Sequence, residues 1–144
     1  MIEQDTIRLL READAGIKMG VSSIEDSMKH IKSEKFREIM RKSLQKHRKL
    51  QAEMQTLLAD YHDDGKEPAM MAKGMEWFKT NVSLAMDDCD GAVADFIVDG
   101  CNMGVKSLAR YLNEYQAADE VSKDIAKKLI SEEEQLSASV RDFL

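Results

Sequence analysis

A nine-residue segment occurs twice in this chain and constrains its fold more than any other feature. Residues 16–24 read Gly-Ile-Lys-Met-Gly-Val-Ser-Ser-Ile, and residues 100–108, which lie 84 positions later, read Gly-Cys-Asn-Met-Gly-Val-Lys-Ser-Leu. Both glycines, the Met-Gly-Val tripeptide and a serine coincide, and a leucine replaces the final isoleucine. The repeat therefore indicates a chain that is built from two copies of one structural unit.

Apolar residues recur with a helical period on both sides of the repeat, which predicts an all-α protein. The predicted helices cover residues 5–31, 34–62, 68–86, 89–117 and 119–143. The helical period of the apolar residues continues without interruption from the helix over 68–86 into the helix over 89–117, so one continuous helix is the alternative to two. We favour a break between them, because Asp87 and Asp88 are candidate N-caps and because two shorter helices give a more compact chain.

Two helical hairpins, 5–62 and 89–143, follow from these helices, and each carries the repeated segment in its first helix. The second helices correspond at an offset of 85 residues, so that Phe36 matches Val121 and His47 matches Glu132. We therefore predict a single domain, 1–144, in which the hairpins are related by a pseudo-two-fold axis. The helix over 68–86 then crosses the length of an antiparallel four-helix bundle.

Composition limits the partners of the chain. The 144 residues are 43% hydrophobic and 33% charged, and the net charge is −6, which disfavours nucleic acid and anionic membranes as partners. No apolar run is long enough to span a bilayer, and the N-terminus lacks a signal-peptide pattern. We expect a cytoplasmic protein with reduced cysteines.

The repeated glycines, Gly16, Gly20, Gly100 and Gly104, are expected to have a structural role. A glycine inside a helix costs roughly 1 kcal/mol relative to alanine. Close approach of the first and third long helices would compensate for this cost, because no Cβ stands between the backbones. An anion site is the less favoured alternative, since glycines in mid-helix have no free N–H groups.

Polar residues interrupt the apolar stripes at a few positions. His47 and Glu132 lie at the same level of their hairpins and are expected to meet at the bundle centre, where a buried polar pair would fix the register. Asp14 is expected to pair with Lys18 or Gln51. We expect Glu133 and the residue after it to be solvated.

The long central connection and the four helices resemble the ferritin-like superfamily, whose di-iron members carry Glu-x-x-His on the second and fourth helices. Here His47 is present with Leu44 in the place of the glutamate, and Glu132 is present with Gln135 in the place of the histidine. Asp14 replaces the glutamate of the first helix. The resemblance thus implies a reduced metal site of His47, Glu132, Asp14 and Gln135, for iron, manganese or zinc.

Two other interpretations use different parts of the chain. The basic segment 45–49 around His47 would suit a histidine-phosphotransfer module if the histidine were exposed. Methionines in the crossover helix and at Met103 would suit an oligomer interface or a peptide-binding surface, because methionine packs adaptably.

We assign no catalytic or cofactor-binding residue. The favoured function is a non-enzymatic helical bundle that acts through a protein partner or self-association. Metal binding at the bundle centre is the alternative, and phosphotransfer ranks behind both.

Overall fold

The structure, a computed structural model, describes residues 2–63 and 89–144. It contains α1 (Ile2–Met28), α2 (Glu34–Asp60), α3 (Asp90–Glu114), α4 (Glu120–Val140) and a final 3-10 turn, Arg141–Phe143. The all-α, four-helix prediction is confirmed for these residues. The predicted helix over 68–86, its junction with 89–117 and the caps at Asp87 and Asp88 lie outside the described residues.

Capping residues set two of the helix starts. Ser33 has an extended backbone, and its Oγ accepts a hydrogen bond from the backbone N–H of Phe36 at 3.2 Å. Asp119 caps α4 in the same way through the N–H of Ser122 at 2.8 Å. The first helix ends at Met28 rather than at Ile31, but Ile31 is still buried in the core from the following turn.

Hydrogen bonds between helix ends define the direction of the helices. The Asp90 carboxylate at the start of α3 accepts the backbone N–H groups of Lys32, at 2.8 Å, and Ser33, at 3.0 Å. At the other end of the bundle, the Tyr61 hydroxyl donates to Asp119 at 3.2 Å. The second and third helices therefore run parallel, and the chain between residues 63 and 89 connects opposite ends of the bundle.

The most extensive helix contacts are those of α1 with α2 and of α3 with α4, followed by those of α2 with α4. The first helix also contacts both α3 and α4, so α1 and α4 meet across the diagonal of the bundle. None of the helices in the described residues combines the length and the apolar character that a bilayer span requires.

The core of the described residues contains three apolar clusters, and a polar layer separates the two largest. One cluster contains Ile24, Met40 and Leu136, and the other contains Ile17, Leu50 and Leu129. Between them each helix contributes one or two residues that are not apolar. These residues are Gly20 on α1, Ser43 and His47 on α2, Gly104 on α3, and Glu132 and Glu133 on α4.

Two apolar residues of the predicted helices are exposed. Val121 is 60% exposed because it lies in the first turn of α4, where Ala118 and Ser122 occupy the buried positions instead. The prediction that Val121 faces the core is therefore wrong, although the remainder of the apolar stripe of α4 is buried or half-buried. Met103 is 39% exposed beside Gly104. The sequence places Met103 on a second flank of α3 that the helix over 68–86 would bury, and that helix lies outside the described residues.

Candidate functional site

His47 pairs with Glu133 in the polar layer, and not directly with Glu132. Only 1% of His47 is exposed, and its Nε2 lies 3.3 Å from Glu133 Oε1. The expectation that Glu133 is solvated is wrong, because just 8% of it is accessible. Successive residues of a helix point about 100° apart, so neighbouring glutamates on α4 reach different helices. Glu132 faces α2, while Glu133 lies against Gly104 of α3.

Glu132 joins the same network through Ser43. The Ser43 hydroxyl donates a hydrogen bond to Glu132 Oε1 at 3.0 Å and lies 3.2 Å from His47 Nδ1. The exposed ammonium of Lys46 approaches the other Glu132 oxygen at 3.7 Å. The structure therefore brings His47 and Glu132 to one layer, as predicted, but a serine connects them.

Both ring nitrogens of His47 face oxygen atoms that accept hydrogen bonds. Nδ1 lies 2.8 Å from the Ser43 carbonyl, and Nε2 faces the Glu133 carboxylate. Carbonyl and carboxylate oxygens have no proton to donate, so the doubly protonated imidazolium satisfies both contacts. Burial alone lowers the pKa of His47, but Glu133, the Ser43 carbonyl and Glu132 together raise it above its ordinary value of 6.5.

The Cys101 thiol, which contacts Glu133 of the polar layer, is not activated as a nucleophile. Burial, together with the nearby Glu133, strongly raises the pKa of Cys101, and its thiol is hydrogen-bonded to that carboxylate. The thiolate is the reactive form of cysteine, so Cys101 is an unreactive thiol.

The repeated glycines have two different surroundings: Gly20 and Gly104 lie close to side chains of other helices, whereas no described side chain fills the space beside Gly16 and Gly100. A Cβ on Gly20 would lie 3.2 Å from His47 Cδ2, and one on Gly104 would lie 3.3 Å from Glu133 Oε2. Among the described residues, no atom outside the local helix would lie within 4 Å of a Cβ on Gly16 or Gly100. The predicted close contact between α1 and α3 at Gly16 and Gly100 is therefore wrong.

A cavity of about 250 Å³ occupies the space between α1 and α3 beside these glycines. All four repeated glycines line it, and His47 and Glu133 form part of its wall. Most of the remaining wall is apolar or aromatic, and it includes Met19, Ile24, Phe96, Ile97, Met103, Leu108, Tyr111, Leu129 and Leu136. The repeated segment and the polar layer thus meet at one partly open cavity.

The four residues of the predicted metal set do not come together. Asp14 is fully buried, and Lys18 Nζ lies 2.6 Å from its Oδ2, although the angle is too poor for a hydrogen bond. Gln135 points to solvent. Within residues 2–63 and 89–144, no group of three or more His, Cys, Asp or Glu side chains is placed to hold a metal ion.

The burial of His47 also argues against a phosphotransfer module, because a phosphoaccepting histidine has to meet its partner at the surface. Glu133 and Cys101 are the members of the site that sequence reasoning missed as polar partners. The available signal was Gly104, which marks a position on α3 where a side chain from α4 requires space.

Comparisons with known proteins identify no relative. No protein-family model matches the chain, no curated protein matches it, and no solved structure matches it. The function therefore has to be argued from the cavity and the polar layer.

Proposed function

We propose that this chain is a non-enzymatic binding protein whose ligand, a small molecule with an apolar body, occupies the cavity between α1 and α3. The observation that carries this proposal is that the repeated glycines line the cavity, and that Gly16 and Gly100 leave open space there. Glycine in mid-helix costs stability, and the space that it leaves is compensated when a ligand fills it. Ligand sites of this kind are concave, mostly apolar and equipped with a few polar groups.

The size of the cavity supports a ligand of one or two rings or a short chain. An engineered protein cavity of roughly 150 Å³ takes up benzene. The cavity described above is larger, at about 250 Å³, and it ends on the buried His47 and Glu133. The two methionines in its wall, Met19 and Met103, allow the wall to adapt to the shape of the ligand.

We also propose that the two hairpins are related by a pseudo-two-fold axis, so that each contributes a copy of the repeated segment to the cavity wall. Gly20 contacts His47 within the first hairpin, and Gly104 contacts Glu133 within the second. Each repeated segment thus places one glycine nearest to a polar side chain of its own hairpin, and a Cβ on Gly20 would also lie 3.6 Å from Glu133 Oε1 of the other hairpin. The parallel direction of α2 and α3 supports the ferritin-like resemblance as a description of topology, without its metal chemistry.

Self-association has less support from the exposed surface. The large exposed apolar side chains of the described residues are Met103, Val121 and Leu144. Val121 begins α4 and Leu144 follows its end, so these two lie at opposite ends of the bundle, and Met103 lies between them. They form no contiguous patch of the kind that marks a stable interface.

Calorimetric titration with 2-phenylethanol, a neutral probe with an apolar body, tests the proposal. We expect weak, saturable binding at one site in the unaltered protein. Gly100→Leu places a side chain in the cavity and should weaken this binding by about tenfold or more. Ala109→Leu is the matched control, because it adds a leucine at an exposed position of the same helix. Binding that is absent in the unaltered protein, or equal in both variants, would overturn the proposal.

A further inference from the structure

The charges in the cavity wall are predominantly negative. Glu12 and Glu133 both line the cavity, and none of the lining residues that the structure describes is a lysine or an arginine. The positive charge of His47 is opposed by Glu133 at 3.3 Å, and Glu132 belongs to the same layer. An anionic ligand would therefore lose its hydration and find, among the described lining residues, only the imidazolium of His47, which already pairs with Glu133.

Glu133 retains the capacity to accept another hydrogen bond. An ionised carboxylate has about four acceptor positions on its two oxygens. His47 and the Cys101 thiol are two donors to this carboxylate. The Oε2 atom lies against Gly104, where the missing side chain keeps the approach from the cavity open. A ligand ammonium could therefore bind Glu133 without displacing His47.

Aromatic rings in the wall add to the attraction for a cation. Phe96 and Tyr111 both line the cavity, and the face of an aromatic ring attracts an ammonium group. Burial and the neighbouring Glu12 raise the pKa of Tyr111 to about 12, so its hydroxyl keeps its proton and is hydrogen-bonded to Glu12. The wall thus combines carboxylates and aromatic rings with an apolar surface for the body of a ligand.

We infer that the ligand of this cavity is a small hydrophobic monocation, an aryl- or alkylamine whose ammonium group binds Glu133 and whose apolar body lies against the α1–α3 wall. This inference rests on the proposed binding function and specifies the chemical class of the ligand. Its main argument is charge complementarity between a ligand ammonium and Glu133, a carboxylate that is only 8% exposed, so that an ion pair formed there is screened less than one at the surface.

Three probes of matched shape test the inference by calorimetric titration at neutral pH. They are 2-phenylethylamine, 2-phenylethanol and 3-phenylpropanoate, which differ in having a cationic, a neutral and an anionic head. An aliphatic amine is protonated and a carboxylate is ionised at this pH. We expect the amine to bind about tenfold more tightly than the alcohol, as a charge-assisted hydrogen bond allows, and the propanoate to bind most weakly.

Glu133→Gln should remove most of the preference for the amine while it preserves binding of the alcohol. Glu134→Gln, at the exposed neighbouring position, should leave the preference unchanged. If Glu133→Gln does not fold, the order of affinity of the three probes for the unaltered protein still tests whether the cavity prefers a cation. Equal or tighter binding of the alcohol or the propanoate would overturn the inference and leave the binding function standing. Absence of binding by all three would overturn the binding function itself.

Discussion

His47 is the residue on which the polar layer depends. Its two ring nitrogens contact oxygens from α2 and α4, and its carbon edge faces Gly20 of α1. A buried charge is costly unless it is paired and hydrogen-bonded, and His47 meets both conditions. The layer therefore fixes the register of three helices at the level where the cavity reaches the centre of the bundle.

The raised pKa of His47 predicts a dependence of stability on pH. A group whose pKa is higher in the folded state contributes stability that is fully present below its unfolded value of 6.5. This contribution is lost as the pH rises through the higher folded-state pKa. We expect the free energy of unfolding, measured by urea denaturation on either side of that value, to fall with rising pH in the unaltered protein.

His47→Gln should lack this fall, because glutamine does not titrate. The groups that face His47 are Ser43 of its own helix and the carboxylates of Glu132 and Glu133 on α4, and all three are retained in this variant. His62→Asn serves as the control, since His62 is exposed at a positive φ that asparagine tolerates. A pH profile of His47→Gln that matches the unaltered protein would contradict the assignment of the charge to His47.

Sequence reasoning identified the layer but not its pairing. The helical stripe correctly placed His47 and Glu132 inside, because the period of the stripe is a local property of the chain. Whether Glu132 or Glu133 meets His47 depends on the rotation of α4 relative to two neighbours. No pattern within one helix determines that rotation, so the direct partner emerged only from the packing.

At the scale of the helix, the glycines of α1 and α3 divide into two kinds. Gly20 and Gly104 touch side chains of the polar layer, whereas a Cβ on Gly16 or Gly100 would meet open space within the described part of the chain. The repeat contains one glycine of each kind in each copy. A single motif thus serves both the packing of the layer and the opening of the cavity.

This division predicts opposite effects of alanine on stability. Gly16→Ala and Gly100→Ala should each stabilise the protein by roughly 0.5–1 kcal/mol, because alanine favours the helix and meets no obstacle. Gly20→Ala and Gly104→Ala should be less favourable by about 1 kcal/mol or more, because the added methyl displaces His47 or Glu133. Thermal and urea denaturation of the four single variants measures the difference. Equal changes in the free energy of unfolding of all four variants would contradict the division of the glycines into two kinds.

Helix boundaries were predictable where a side chain caps the backbone. Ser33 could be identified from the sequence because its hydroxyl bonds within three residues. The exposure of Val121 could not, because it depends on where the first turn of α4 lies relative to the end of the bundle. Hydrogen bonds between residues close in sequence therefore determine where a capped helix begins. The burial of a side chain near a helix end depends instead on how the neighbouring helices are placed.

At the scale of the whole molecule, hydrogen bonds lock the helices together at both ends. Asp90 of α3 holds the turn between α1 and α2 through two backbone N–H groups. At the opposite end, Thr6 Oγ1 of α1 accepts the backbone N–H of Asp119 at 2.8 Å. The ends are fixed by polar contacts and the centre by the polar layer. The α1–α3 side remains open enough to form the cavity.

The assembly of the bundle was only partly predictable from the sequence. Period and repeat indicated four helices in two hairpins, and the described helices agree in number and order. The cavity was not predictable, because the same glycines are compatible with close contact and with separation of α1 and α3. Distinguishing the two requires the distance between the helices, which the other side chains of the interface determine.

One measurement tests the central claim most directly. Protein labelled with ¹³C in its methionine methyl groups is titrated with 2-phenylethanol and followed by NMR. Met19 and Met103 line the cavity, whereas Met40 and Met54 are fully buried in the apolar clusters outside its wall. We predict saturable shifts of the Met19 and Met103 methyl resonances, with Met40 and Met54 unchanged. Shifts that are absent, or that favour Met40 and Met54, would contradict a ligand site between α1 and α3.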